Sequence, residues 1–172
     1  GARAVASAFL KRIRELCTEH GVLLIFDEVQ CGVGRCGAFT AAESFGVTPD
    51  LLTLAKGLAS GLPIGATLIS EAIGATVKSG DLGSTFGGGP VPCAAGLATL
   101  EVIDRERLIE NASSVGAHIA GVVKSLPGVT GIEGRGLLIG LRLTKPAAEV
   151  QKALVAKRMR SKLANAASQT LA

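Results

Sequence analysis

The chain opens with apolar residues at helical spacing and continues with short apolar runs. The residues at helical spacing are Val5, Phe9, Ile13 and Leu16. They predict a helix over residues 2–20. Two uninterrupted apolar runs follow at 22–26 and 51–55, and such runs are typical of strands that are buried on both faces. We therefore expect two buried strands, joined through a short helix at 40–45.

The remainder of the chain continues this alternation of strands and helices. Further strands are predicted at 65–69 and 137–143. Further helices are predicted at 71–78, 93–103, 107–126 and 146–163. The alternation is typical of an α/β fold with a mostly parallel sheet. A change of pattern within 101–111 predicts two domains, over residues 1–105 and 106–172.

Composition supports a packed core and argues against nucleic acid as a partner. The 172 residues are 48% hydrophobic and 19% charged, which excludes a disordered chain. Only 3% are aromatic, too few for a surface on which bases stack. The net charge is +4, and residues 145–172 hold six basic residues against one acidic residue. We interpret this basic end as a solvated helix face or an irregular end, because the rest of the chain has no basic stripe.

The sequence predicts a cytoplasmic protein without a membrane span, a signal peptide or a metal centre. The uncharged stretch 82–100 contains glycines and prolines and is interpreted as a loop followed by a helix. The four cysteines lack the spacing of a zinc site: Cys17, Cys31, Cys36 and Cys93. We therefore expect reduced structural thiols.

Two ionisable side chains directly follow the two apolar runs. Asp27 ends the first run, and Lys56 follows the second. In an open parallel sheet, ligands bind beyond the carboxyl ends of the strands, so one crevice is expected to hold both side chains. A desolvated lysine offers an amine for Schiff-base chemistry, and an aspartate complements a protonated ring nitrogen, as pyridoxal phosphate requires. Spacing alone leaves open a helix cap or a solvated strand end for each.

Four motifs occur along the chain in a set order. They are LIFDEVQCGVGRCG at 24–37, TLAKGLASGLPIGA at 53–66, GSTFGGGP at 83–90 and GRGLLIG at 134–140. Together they resemble the class III (ornithine-type) aminotransferases over nearly the whole chain. The resemblance implies a partial fold-type-I transferase: half of the large cofactor-binding domain at 1–105 and the start of the small α/β domain at 106–172. Glu28 is expected to face away from Asp27 and to bridge to a neighbouring element.

The resemblance also implies roles for individual residues. Lys56 is similar to the lysine that holds pyridoxal phosphate covalently and then moves the proton, and Asp27 to the partner of the ring nitrogen. Val29 is similar to the apolar residue beneath the ring, and Gln30 to the residue near the 3-hydroxyl. Thr85 is similar to the threonine that reaches the phosphate of the neighbouring subunit. The bland alternatives are a core side chain for Val29, a loop residue for Gln30 and a helix cap for Thr85.

The function implied by the resemblance is transamination. The substrates would be N-acetylornithine or a related acylated ornithine and 2-oxoglutarate, as in arginine biosynthesis, and the full-length form would be a homodimer. Alternatives are another class III aminotransferase or aminomutase of the same fold, or a non-catalytic truncated remnant. Family members take a phosphate-binding loop, a ring-stacking aromatic residue and a carboxylate-binding arginine from segments that we do not find here. We therefore expect residues 1–172 alone to be nearly inactive.

Overall fold

A computed structural model of the chain describes residues 4–160 and 170–171. The helices are α1 Ser7–Glu19, α2 Ala41–Phe45, α3 Glu71–Gly74, α4 Pro90–Arg105, α5 Leu108–Val123 and α6 Ala147–Ala156. The strands are β1 Ile25–Asp27, β2 Leu51–Leu54, β3 Ala66–Ile69, β4 Val129–Arg135, β5 Leu138–Leu143 and β6 Thr170–Leu171. The described residues form two compact units, one over residues 6–109 and one that includes the described residues from Glu110 onward.

The sheet of the first unit has the order β1-β2-β3 and mixes both strand directions. Strand β1 pairs with β2 in parallel, with Ile25 opposite Leu51, whereas β3 runs antiparallel to β2. The expected α/β class is confirmed, but the expectation of a mostly parallel sheet is wrong for the described strands. The segment 55–65 between β2 and β3 is too short for the crossover helix that a parallel connection requires, so the chain turns back.

Burial within this sheet is uneven. On β2, Leu52 and Leu54 are buried and pack with Ala42 of α2 and with Leu58. Strand β1 lies at an edge of the sheet, and its Ile25 is 57% exposed. The expectation that 22–26 is buried on both faces is therefore wrong for this chain, because within the described residues no element covers that side of β1.

Two predicted helices are longer than the observed ones. Helix α3 ends at Gly74, although its pattern predicted a helix to residue 78. Helix α6 ends at Ala156, where the pattern predicted a helix to 163. Residues 161–163 of that prediction lie outside the described residues. Residues 75–78 after α3 hold one large apolar side chain, and residues 157–160 after α6 hold three basic residues, so neither segment continues an apolar helix face. After α6 the backbone also leaves the helical region, with a φ of 61° at Arg158.

The second unit contains a β-hairpin of β4 and β5, and the sequence pattern predicted only one of these two strands. Strand β5 was expected, but its antiparallel partner β4 was missed. Strand β4 contains Gly131 and Gly134, and interior glycines weaken the strand signal in a sequence. Gly131 lies directly against the guanidinium of Arg142 on β5, so the glycine makes room for a cross-strand side chain. Among the described residues, no helix is both long and apolar enough to cross a membrane.

Candidate functional site

The carboxyl ends of β1 and β2 bring the two predicted reactive side chains to the same edge of the sheet. Asp27 is the last residue of β1 and lies opposite Thr53 of β2. Lys56 follows the end of β2 by two residues. Because the two strands are adjacent and parallel, their carboxyl ends meet, as the pattern predicted. Both side chains are exposed and therefore accessible to a ligand.

The carboxylate of Asp27 is held through one of its two oxygens. Its Oδ1 accepts the backbone N–H of Val29 at 3.0 Å and the hydroxyl of Thr53 at 3.3 Å. Within the part of the chain that the structure describes, Oδ2 accepts no hydrogen bond and the carboxylate forms no ion pair. One oxygen thus orients the group, and the other is available for a donor from a ligand.

The amine of Lys56 is placed by a tight turn. Lys56 begins a 3-10 turn that ends at Ala59, and its φ of 47° lies in the left-handed region that non-glycine residues rarely adopt. The second half of the turn is held in the core, since Leu58 and Ala59 are buried. In residues 4–160, Lys56 forms no salt bridge and no side-chain hydrogen bond. A strained backbone on a buried anchor is a frequent feature of functional sites.

The loop after β1 carries Val29 and Gln30. Val29 is half-buried and Gln30 is exposed. The preceding residue, Glu28, is buried, and its carboxylate accepts the backbone N–H groups of Ala41 and Ala42 at 2.6 and 2.7 Å. The prediction that Glu28 bridges to a neighbouring element is thus confirmed: the element is the N-terminus of α2. The roles of Val29 and Gln30 toward a cofactor stay predictions.

Thr85 lies in an exposed loop that precedes α4. Helix α4 starts at Pro90 after Gly89, with no side-chain cap, so the alternative that Thr85 caps a helix is wrong. The neighbouring Ser84 accepts the N–H of Gly87 at 3.0 Å and shapes the loop. No hydrogen bond joins Thr85 to another described residue. The structure thus leaves Thr85 apart from the bonds around Asp27, and its role toward a phosphate stays a prediction.

The available groups fit two ends of pyridoxal phosphate. The free Oδ2 of Asp27 suits a ring N–H donor, and the unpaired amine of Lys56 suits an aldehyde carbon. Asp27 ends β1 and Lys56 follows β2, and within the described chain the two side chains do not pair with each other. An aspartate and a lysine so placed would hold the ring nitrogen and the reacting carbon of one ligand.

Sequence reasoning missed two residues that shape this region. Thr53 donates to Asp27, and only the strand register reveals that the two side chains meet. Asp50 accepts the N–H of Leu24 at 2.7 Å and the guanidinium of Arg14 at 2.6 Å, which ties α1 to the start of both strands. These hydrogen bonds, that of Leu24 first, lower the pKa of Asp50 below its ordinary value of 3.8. A turn signal at Thr48-Pro49-Asp50 was the only hint in the sequence.

The thiol of Cys31 lies close to Asp27 and is partly buried. Burial, with smaller contributions from Glu28 and Cys36, raises its pKa from 9.0 to about 11. Its Sγ lies 4.0 Å from the backbone oxygen of Asp27. All four cysteines lie within the described residues, and none of them is joined in a disulfide there.

Comparison with known proteins identifies the family. Residues 1–166 match the family model described as aminotransferase class-III. Acetylornithine aminotransferase 1 of Bordetella bronchiseptica is 47% identical over 150 residues, which are 85% of this chain and 38% of that protein. The crystal structure of ornithine aminotransferase from Toxoplasma gondii has a TM-score of 0.86 at 34% identity and matches 95% of this chain and 40% of its own. An S-selective transaminase from Arthrobacter has a TM-score of 0.88 at 28% identity, covering 96% of this chain and 42% of its own.

These matches also show the fold class and how much of a full-length relative this chain spans. The structural neighbours are aminotransferases of fold type I, as the motifs implied, and this chain spans about 38% of the length of the Bordetella relative. The four motifs, the strand-end aspartate and lysine and the matching fold thus agree with one another. The chain belongs to the class III aminotransferase family.

Proposed function

We propose that residues 1–172 form part of a pyridoxal-phosphate-dependent transaminase. It transfers an amino group from N-acetylornithine, or a related acylated ornithine, to 2-oxoglutarate, as in arginine biosynthesis, and it works as a homodimer in the cytoplasm. The observation that carries the proposal is the placement of Asp27 and Lys56 at the carboxyl ends of two adjacent parallel strands. The name of the Bordetella relative supports the substrate.

Asp27 would hold the ring nitrogen of the cofactor in its protonated form. Pyridoxal phosphate, when bound, supplies an electron sink and an aldehyde carbon. The Oδ1 of Asp27 is already oriented by Val29 and Thr53, so Oδ2 alone would face the ring. A prepositioned carboxylate costs little reorganisation when charge develops on the ring.

Lys56 would bind the aldehyde carbon and then move the proton. After the substrate amine displaces it from that carbon, the Lys56 amine would take a proton from the substrate carbon that bears the amino group to be transferred, which in N-acetylornithine is the δ-carbon because the α-amino group is acylated. Lys56 would then act as the acid that gives the proton back. General acid–base transfer of this kind contributes about 10²–10⁴-fold to a rate. The 3-10 turn, with Leu58 and Ala59 buried, keeps Lys56 at the end of β2, where this transfer would take place.

The remaining assignments rest on the family resemblance. Val29 would pack beneath the ring, and Gln30 would lie near the 3-hydroxyl. Thr85 would reach the phosphate of the neighbouring subunit, which agrees with its exposed loop, where Phe86 is 90% exposed. A homodimer would therefore be needed to complete each site.

Borohydride trapping tests the assignment of Lys56. Residues 1–172 are incubated with a low concentration of pyridoxal phosphate, reduced, digested and mapped by mass spectrometry. We expect the pyridoxyl group on Lys56 in clear excess over the exposed Lys78 and Lys124. An Asp27→Asn variant should lower the Lys56 label and leave the other two unchanged. Equal labelling of all three lysines in the unsubstituted chain would contradict the proposal.

The second candidate is a transaminase with a different amino donor. The structural similarity to the S-selective transaminase favours it, because the assigned site residues would all contact the cofactor and none is assigned to the substrate. A hybrid separates these candidates from a non-catalytic remnant: the matching stretch of this chain, which is 85% of its length, replaces the corresponding segment of the Bordetella relative. Turnover that disappears with Lys56→Ala shows a working half-site, and a panel of amine donors then compares the two specificities. A folded hybrid without turnover favours the remnant.

A further inference from the structure

Glu28 is a buried acid directly beside the proposed cofactor ligand. Its side chain is only 2% exposed. Both carboxylate oxygens are used, one by the N–H of Ala41 and the other by the N–H of Ala42. Buried carboxylates are kept where hydrogen bonds compensate for lost hydration, and here two donors of α2 supply that compensation. The carboxylate therefore fixes residue 28 to the helix that ends the loop.

The backbone of Glu28 is fixed as well. Its N–H donates to the carbonyl of Thr53 at 2.9 Å, and its carbonyl accepts the N–H of Gly32 at 2.9 Å. Gly32 approaches so closely that a Cβ there would lie 2.6 Å from Leu54. Glu28 thus ties β2, the loop and α2 together.

Both groups that orient Asp27 depend on this arrangement. Val29, which donates to Asp27 Oδ1, is the next residue in the chain. Thr53, the second donor, also accepts the N–H of Glu28. Glu28 therefore holds both donors in place without touching the ligand position itself.

We infer that Glu28 is a positioning residue that orients the Asp27 carboxylate by anchoring Val29 and Thr53 to the N-terminus of α2. The inference rests on the proposed function, because only there is Asp27 a ligand of the cofactor ring. In Glu28→Gln, an amide NH₂ replaces one carboxylate oxygen and faces a backbone N–H, so two buried donors oppose each other. The segment around Val29 then opens.

The test compares Glu28→Gln with Thr40→Val. Thr40 caps the same helix by accepting the N–H of Glu43, but it has no hydrogen bond to the residues around Asp27. Amide hydrogen exchange is measured on the cofactor-free chain. The ratio of pyridoxyl label on Lys56 to that on Lys78 is measured after trapping. Because unfolded chains would label both lysines alike, the folded fraction of each variant is measured by far-UV circular dichroism, and Thr40→Val is the matched control for a loss of stability in the same helix.

We expect Glu28→Gln to speed exchange at Val29 and Gly32 by about tenfold and to lower the label ratio several-fold. Thr40→Val should speed exchange only within α2 and leave the ratio unchanged. Unchanged protection at Val29 in Glu28→Gln, or an equal loss of the ratio in Thr40→Val, would overturn the inference. If Lys56 is not preferred even in the unsubstituted chain, the proposed function fails, while the exchange at Val29 still tests the anchoring.

Discussion

Individual hydrogen bonds decide how residues 24–56 present their side chains. Asp27, Glu28 and Asp50 are three acids within one short stretch, and each has a different task. Asp27 is exposed and accepts hydrogen bonds through one carboxylate oxygen, whereas Glu28 is buried and accepts through both. Asp50 accepts from Arg14 of α1 and from Leu24 just before β1. Only the first is available to a ligand. The burial and the partners of an acid, which its residue type does not reveal, therefore separate a candidate ligand from a structural anchor.

Asp50→Asn should destabilise the chain in a pH-dependent way. Hydrogen bonds from Leu24 and Arg14 hold the pKa of Asp50 below 3.8, so the ionised form stabilises the folded state at neutral pH. That contribution is fully present above about 3.8 and is lost as pH falls further, through the lowered pKa. The difference in urea midpoint between the unsubstituted chain and Asp50→Asn should therefore become smaller below about pH 4. Glu15→Gln, which removes the exposed pair with Arg12, is the matched control and should change little.

The thiol of Cys31 should resist alkylation at neutral pH. A pKa of about 11 leaves roughly one thiol in a thousand ionised at pH 8, and the thiolate is the nucleophile. Iodoacetamide labelling followed by peptide mapping should show slower modification at Cys31 than for free N-acetylcysteine, with a rate that still rises above pH 9. Labelling as fast as the free thiol would contradict the raised pKa that partial burial gives this thiol.

At the scale of elements, glycines decide where helices and strands approach closely. Helix α5 carries Gly116 and Gly121 on one continuous helix. A Cβ on Gly116 would overlap the backbone carbonyl of Gly136 in the β4–β5 turn, whereas a Cβ on Gly121 meets nothing within 4 Å. One glycine is thus required by packing, and the other is not.

The two glycines should respond in opposite directions to alanine. Gly116→Ala forces the helix away from the hairpin turn and should destabilise the second unit by about 1–3 kcal/mol. Gly121→Ala gains helix propensity without a clash and should stabilise it by about 0.5–1 kcal/mol. Urea unfolding followed by far-UV circular dichroism measures both. Equal effects of the two substitutions would show that α5 does not pack on the turn.

For the whole molecule, exposed apolar residues mark the two edges of the first sheet. Ile25 on β1 and Leu68 and Ile69 on β3 are exposed, together with Val22 and Leu23 before β1. Such concentrated apolar surface is typical of an interface that other protein covers. The Bordetella relative is more than twice as long as the stretch that matches this chain, so relatives have additional chain for such contacts.

Residues 1–172 alone should bind pyridoxal phosphate weakly and should not exceed the rate of the free cofactor. Asp27 and Lys56 address the ring nitrogen and the aldehyde, but positioning by several further contacts supplies much of an enzyme's rate. Single-turnover kinetics with N-acetylornithine measure the rate, with Lys56→Ala as the control. A rate well above that of free cofactor, abolished in the control, would show that the described residues suffice for catalysis.

The sequence by itself determined the family, the α/β class and the placement of an aspartate and a lysine at the carboxyl ends of two apolar strands. Those properties follow from apolar runs and sequence motifs, and both of these are formed by residues that are neighbours along the chain. Tertiary structure alone decided the antiparallel return of β3, the strand β4, the exposure of β1 and the bonds from Thr53 to Asp27 and from Glu28 to α2. These features depend on contacts between residues far apart in the chain, on loop length and on what covers an edge, and no local pattern encodes them.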